Sequence, residues 1–172
     1  AGWITYTNII DGSFDFLQLH LTEAKINSSL NNINNTIFNV WGHWNNNNQN
    51  YVAYAFHSVP WYSKVWTYTG NGSTDWAFVY TGFKPRYVMI KRTDNTGSWW
   101  IQDTIRESYN PSNNWLLAND SRNEHIDNSL LDIDFLSNWF KIKNSYASRN
   151  FSWWKYIYIA FAEAPFKYAN AR

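Results

Sequence analysis

The chain has 172 residues, and its 14 Lys and Arg nearly balance its 13 Asp and Glu, leaving a formal net charge of +1. This balance argues against a nucleic-acid track or an anionic membrane surface as partner. Cysteine is absent, which excludes disulfides, thiol nucleophiles and cysteine-ligated zinc. The longest apolar run is about ten residues, too short for a membrane-spanning helix. We therefore expect neither nucleic-acid binding nor membrane insertion.

The predicted elements are strands separated by turns. Their spacing of roughly 8–12 residues, with no sustained helical periodicity, predicts an all-β, antiparallel β-sandwich of jelly-roll-like type. In chain order the predicted strands are Trp3–Tyr6, Phe14–Leu21, Ile37–Val40, Tyr51–Val59, Phe78–Tyr80, Tyr87–Arg92, Trp99–Ile101, Trp115–Ala118, Ile133–Ile142 and Tyr156–Pro165.

Alternation within these strands predicts which side chains are buried. In Phe14–Leu21, Leu17, Leu19 and Leu21 share one face. In Tyr87–Arg92, Val88 and Ile90 are expected in the core, while Lys91 and Arg92 mark the exit to solvent. Thr22–Ser29 and the Asn-rich tract Asn45–Asn50 are expected to be surface loops. Residues 61–97 have hairpin character around the turn sequence Gly70-Asn71-Gly72.

Two runs of ten residues indicate an internal repeat. Tyr51–Pro60 and Tyr156–Pro165 share Tyr, Ala, Phe and Pro in register, at a separation of about 105 residues. Both are apolar almost throughout, which predicts a strand buried on both faces. We therefore divide the chain into residues 1–60, a first repeat truncated at its N-terminus, and residues 61–172, a complete second sandwich unit.

Aromatic residues make up 20% of the chain, including 12 Trp. One interpretation is a sugar-binding surface, where rings stack on pyranoses and Asn amides bond hydroxyl groups. The other is an AT-rich genome, whose codons favour Asn, Lys, Ile and Tyr, combined with an aromatic β core. The second interpretation leaves the abundance of Trp unexplained.

No constellation of polar residues predicts an active site. His20, His43, His57 and His125 have no metal-ligand spacing, and His57-Ser58 would point to opposite faces of one strand. Asp127, Asp132 and Asp134 could offer oxygens to calcium but match no EF-hand pattern. We expect no catalytic residue, no cofactor and no metal.

Several segments resemble a recurring region of tailed-bacteriophage structural proteins, strongly over residues 51–172 and loosely over 1–50. These segments are Ala53–Pro60, Tyr62–Lys64, Tyr68–Asp75, Phe78–Phe83, Val88–Asp94, Trp100–Thr104, Asp134–Asn138 and Ala160–Arg172.

The resemblance implies a non-enzymatic virion component, in a tail fibre or another appendage outside the particle. It implies a homo-oligomer, with a trimer favoured, whose partners are itself, other virion proteins and a host surface glycan. Two alternatives remain open. One is a carbohydrate-binding module of a secreted or viral glycan-active protein, and the other is a self-associating cell-surface filament subunit.

The chain departs from this family in one repeated way, because Trp stands where the family has Gly. The positions are Trp61, Trp66, Trp76, Trp139, Trp153 and Trp154, and Trp41 and Trp115 are added to them. One hypothesis is that these are glycines encoded by UGA in a genome that assigns UGA to glycine. The alternative is genuine Trp forming an exposed aromatic face for a ligand or for assembly.

Overall fold

A computed structural model describes residues 2–28, 37, 46–75, 77–126 and 132–164. These residues contain strands and no helix. The strands are β1 (Ile4–Thr7), β2 (Asp15–Gln18), β3 (Ile26–Asn27), β4 (Ser63–Thr69), β5 (Ala77–Tyr80), β6 (Pro85–Arg92), β7 (Trp99–Asp103), β8 (Leu116–Leu117), β9 (Ile133–Phe135), β10 (Trp139–Ile142) and β11 (Lys155–Ala162).

The strand β11 is the centre of the largest sheet. That sheet has the order β4-β11-β6-β7-β8, and all its pairs are antiparallel. Because side chains alternate along a strand, β11 places Tyr156, Tyr158 and Ala160 on one face and Ile157 on the other, and all four are buried. The prediction that Tyr156–Pro165 contains a strand buried on both faces is confirmed.

The main core lies between this sheet and a second sheet of order β5-β10-β9. The described strands thus form the predicted all-β, antiparallel, sandwich-like fold. The buried side chains of this core are Ala77, Val79, Phe83, Val88, Ile90, Ile133, Phe135, Phe140, Ile142, Tyr156, Tyr158 and Ala160.

A third layer covers the opposite face of the five-stranded sheet. The small sheet β1-β2-β3 packs Leu17 and Ile10 against Trp99 and Ile157. The Trp99 indole Nε1 donates to the Gln18 carbonyl at 3.0 Å. Of the three leucines predicted to share one strand face, Leu17 is buried on β2, whereas Leu19 and Leu21 lie beyond the end of this strand and Leu21 is exposed.

The predicted strand Tyr51–Val59 is wrong. The segment has no strand pairing apart from a bridge between Val59 and Ser63, and Tyr54 is 70% exposed. The similar run in β11 is buried because β4 and β6 flank it, whereas no strand of the described chain flanks residues 51–58. The two runs therefore lie in unlike surroundings, and the division at residue 60 remains a prediction.

Two other local expectations fail for reasons of long-range packing. Lys91 and Arg92 do not mark an exit to solvent, since both are buried, and the Lys91 Nζ donates to the carbonyl of Thr22 in the N-terminal layer at 3.3 Å. The turn at Gly70–Gly72 closes no hairpin, because β4 and β5 belong to different sheets.

The remaining expectations differ in detail. Ile133–Ile142 forms two strands, β9 and β10, rather than one. The expected loop Thr22–Ser29 contains the two-residue strand β3, and residues 46–50 of the Asn tract are exposed. Of the predicted strand Ile37–Val40, only Ile37 belongs to the described residues, and it is exposed.

Candidate binding surfaces

The tryptophans singled out from the sequence take several different settings. Trp66, on β4, is exposed, and the Lys64 Nζ lies 5.0 Å from its ring centroid. Trp139, on β10, meets the Tyr80 ring edge-to-face at 4.8 Å. Trp154 packs against the main core. Trp76 lies outside the described residues.

Trp61 and Trp153 differ from these three in backbone conformation. Their φ angles are 65° and 69°, in the left-handed region that favours glycine. Both side chains are exposed, Trp153 by 84%.

An apolar groove lies on the face of the five-stranded sheet that also carries the N-terminal layer. Phe56, Tyr87, Met89, Ile159 and Phe161 line a volume of about 370 Å³. The Phe161 ring lies 6.0 Å from Phe56 and 5.9 Å from Tyr87, centroid to centroid. We call this surface the apolar groove.

The segment that contributes Phe56 is anchored to the edge of β4. The Ser58 hydroxyl accepts from the Val65 N–H at 3.0 Å and lies 3.1 Å from the Val65 carbonyl, to which it donates. It therefore substitutes for a neighbouring strand at this point of the edge. The Ser58 hydroxyl is thus engaged with backbone, which does not support a nucleophile formed with His57.

A second surface is an open cleft at the end of the sheet where β7 pairs with β8. Its volume is about 520 Å³. We call it the aromatic cleft, and it is lined by Thr22, Thr96, Gly97, Ser98, Trp100, Trp115, Leu117, Arg122, His125, Tyr146 and Ser148.

The aromatic cleft combines rings with unpaired donors. Trp115 stacks on His125 with ring centroids 3.7 Å apart, and it meets Trp100 edge-to-face at 4.6 Å. Both tryptophans are buried, and neither indole N–H has a hydrogen-bond partner. Tyr146 is the exposed ring of the group. The cleft thus offers an apolar platform on which the exposed Tyr146 ring is open to stacking, while the two indole N–H groups are buried beneath the surface.

A buried cation supports the cleft from below. Arg149 is fully buried, its guanidinium carbon lies 4.7 Å from the Trp100 ring centroid, and it donates to the Gln102 side-chain oxygen. Removal from water lowers the pKa of Arg149 to about 9, because burial disfavours the charged form.

Sequence reasoning missed both surfaces. The groove combines Phe56 with residues more than 30 positions later in the chain, and the cleft draws on the Thr22 loop, β7, β8 and the Tyr146 turn. The one available signal was the abundance of aromatic residues, which suggested a sugar-binding surface without locating it in the chain.

The acidic candidates form no metal centre in the part of the chain that the structure describes, where no three metal-ligating side chains gather. Asp134 forms an ion pair with Lys143 at 3.8 Å. Burial raises the pKa of Asp132, and Asp127 is not among the described residues. The part of the chain that the structure describes also contains no helix long and apolar enough to cross a bilayer.

Fold and surfaces together define a class, an all-β sandwich-like domain with an apolar groove and an aromatic cleft. A family model described as a domain of unknown function, DUF7483, matches residues 1–165. The chain belongs to this family. No curated protein and no solved structure matches it.

Proposed function

We propose that this domain is a non-enzymatic structural component of a bacteriophage virion, in a tail fibre or another appendage, and that it self-associates through the apolar groove. The sequence resemblance suggests the virion, and the groove is the observation that carries self-association. The groove is lined by apolar and aromatic side chains, and contiguous exposed apolar side chains are typical of contact sites.

A second copy of the chain is the occupant we favour for the groove. Each chain has a groove lined by side chains of β6 and β11, and each also exposes an apolar segment with Tyr51, Val52 and Tyr54 just before Phe56. One copy can therefore supply both halves of a contact, and contacts of this kind close into rings when the rotation allows. A homotrimer is the state that the resemblance implies.

Light scattering after size-exclusion chromatography tests this proposal. We expect the wild-type chain to elute as an oligomer, with a trimer favoured, and the Phe56→Ser variant to elute as a monomer. Phe56 lies outside the strands, so its replacement should leave the sandwich folded. Tyr109→Ser, at another exposed aromatic residue, is the matched control and should remain oligomeric. A monomeric wild-type chain would overturn the proposal.

The aromatic cleft favours a second candidate function, that of a carbohydrate-binding module. Its aromatic lining and the exposed Tyr146 ring suit a saccharide, whose ring faces stack on aromatic groups. A glycan panel separates the two candidates. Saccharide binding by a monomer, lost in Tyr146→Ala but kept in Tyr109→Ala, would favour the module, and an oligomer that binds no saccharide would favour the fibre.

A further inference from the structure

Two tryptophans hold a backbone conformation that bulky L-residues rarely adopt. φ is 65° at Trp61 and 69° at Trp153, close to the 71° of Gly72. Elsewhere in the described chain, the one other non-glycine residue with positive φ is Asn48, and Asn is among the residue types enriched in this region. For an indole-bearing residue the same conformation is strained, because Cβ approaches the following carbonyl oxygen.

Both tryptophans occupy the third position of a hydrogen-bonded turn. In residues 59–62, the Tyr62 N–H donates to the Val59 carbonyl at 3.0 Å, with Pro60 in the second position. In residues 151–154, the Trp154 N–H donates to the Phe151 carbonyl at 3.2 Å. Proline in the second position and positive φ in the third are typical of a type II turn, whose third position favours glycine.

The two indoles are much more exposed than that of another tryptophan of the chain. Trp153 is 84% exposed and Trp61 is 46% exposed. Trp99, by contrast, is 3% exposed, belongs to the core beneath the N-terminal layer, and donates from Nε1 to the Gln18 carbonyl. The chain therefore contains a tryptophan that packs in the core and tryptophans at turn positions whose backbone conformation favours glycine.

We infer that positions 61 and 153 are glycine in the protein made with its native genetic code, because that code reads UGA as glycine, and that Trp99 is genuine tryptophan. Decoding a UGA codon as Trp places an indole at every such position and leaves UGG-encoded tryptophans unchanged. A mixture of fitting and misfitting tryptophans is the expected result. The exposed indoles at 61 and 153 then belong to no ligand-binding or assembly surface. This inference stands independently of the proposed function.

The codons of the gene give the first test. We expect UGA at positions 61 and 153 and UGG at position 99. UGG at positions 61 and 153 would overturn the inference, and UGA at position 99 would overturn the distinction between the two kinds of tryptophan.

The stability of paired variants gives a second, independent test. Trp61→Ala and Trp61→Gly both remove the indole, but only glycine also removes Cβ. We expect the unfolding equilibrium constant of the glycine variant to be about fivefold to thirtyfold lower than that of the alanine variant. The same difference is expected between Trp153→Gly and Trp153→Ala. Equal stability of the two variants at both positions would show that the turns do not require glycine, which would overturn the structural argument.

A control for the second test lies in the core. Trp99→Gly should raise the unfolding equilibrium constant, because it empties a packed site and leaves the Gln18 carbonyl without its donor. A stabilised Trp99→Gly variant would show that the assay responds to loss of any indole, and it would remove the support that the turn variants offer.

Discussion

At the scale of single residues, buried cations are the least expected feature of this chain. Lys91 has no exposed surface, and its ammonium group contacts two carbonyl oxygens, those of Arg92 at 2.5 Å and Thr22 at 3.3 Å. Burial, together with the nearby Arg92 charge, lowers the pKa of Lys91 to about 8. The folded chain therefore bears a cost for keeping this charge at neutral pH.

The Lys91 pKa predicts how stability depends on pH. Below about pH 8 both states hold the proton, so the folded state carries the full cost of burial. Between about pH 8 and the ordinary lysine pKa of 10.5, the unfolded chain holds a proton that the folded chain has released, so the free energy of unfolding rises with pH. Lys91→Met should reduce this rise in urea denaturation between pH 8 and 9, below the range in which buried Arg149, with its pKa lowered to about 9, adds a rise of its own.

The matched control for this titration is Lys84→Met. The Lys84 side chain is about half exposed and forms a surface ion pair with Glu163, so its loss should change stability little and leave the pH dependence intact. A rise of equal slope in Lys91→Met and wild type would contradict the assignment to Lys91. Above pH 10 the trend should reverse, because burial raises the pKa of Tyr156 to about 12, and only the unfolded chain then ionises that hydroxyl.

At the scale of elements, β11 joins the two sheets through tyrosine hydroxyl groups as well as through apolar packing. The Tyr158 hydroxyl donates to the Tyr80 carbonyl on β5, in the facing sheet, at 2.9 Å. The Tyr156 hydroxyl donates to the Ala147 carbonyl at 2.8 Å and accepts from the Phe151 N–H at 3.0 Å. β11 thus fixes the sheet opposite it and the turn before it.

The two tyrosines predict a graded loss of stability. Tyr158→Phe leaves one carbonyl without its partner and should lower the free energy of unfolding by about 1 kcal/mol. Tyr156→Phe leaves a donor and an acceptor unpaired and should lower it by about 2–3 kcal/mol. Urea denaturation of both variants, with the exposed Tyr109→Phe as control, measures the difference. A larger loss in Tyr158→Phe would contradict this account.

Elements that alternate clearly could be predicted from sequence, and elements defined by their neighbours could not. The alternation in β6 placed Val88 and Ile90 correctly in the core, because strand geometry fixes the parity of side chains. The runs at 51–60 and 156–165 have similar sequences, but the first is largely exposed and the second contains the buried strand β11. The difference arises because pairing with flanking strands decides burial. The candidate surfaces were missed for the same reason, because both assemble residues distant in sequence.

At the scale of the whole molecule, the described chain is a stack of three layers, with the five-stranded sheet in the middle. The N-terminal layer is attached by the Leu17 core and by backbone bonds, from Lys25 N–H to the Thr93 carbonyl at 2.8 Å and from Gly97 N–H to the Thr22 carbonyl at 2.7 Å. This core is smaller than the one between the other two sheets. The N-terminal layer is therefore expected to open first.

Leu17→Ala tests the order of opening. The substitution leaves a cavity at a buried site and should lower the stability of the N-terminal layer by about 2–5 kcal/mol. Hydrogen exchange should then accelerate at the amides of β1 and β2, while those of β5 and β10 stay protected. Leu21→Ala, at the exposed end of the same sequence, is the control. Equal acceleration in all three layers would mean that the chain unfolds as one cooperative unit.

Local sequence patterns alone predicted the all-β class, the core positions of Val88 and Ile90 in β6, and a strand at β11 that is buried on both faces. These follow from local geometry, which a strand or a turn imposes wherever it lies. Long-range packing decided that Lys91 and Arg149 are buried, that residues 51–58 form no strand, and that a groove and a cleft form. Those outcomes depend on which elements, distant in sequence, pack against a given surface, and a local sequence pattern does not specify that packing.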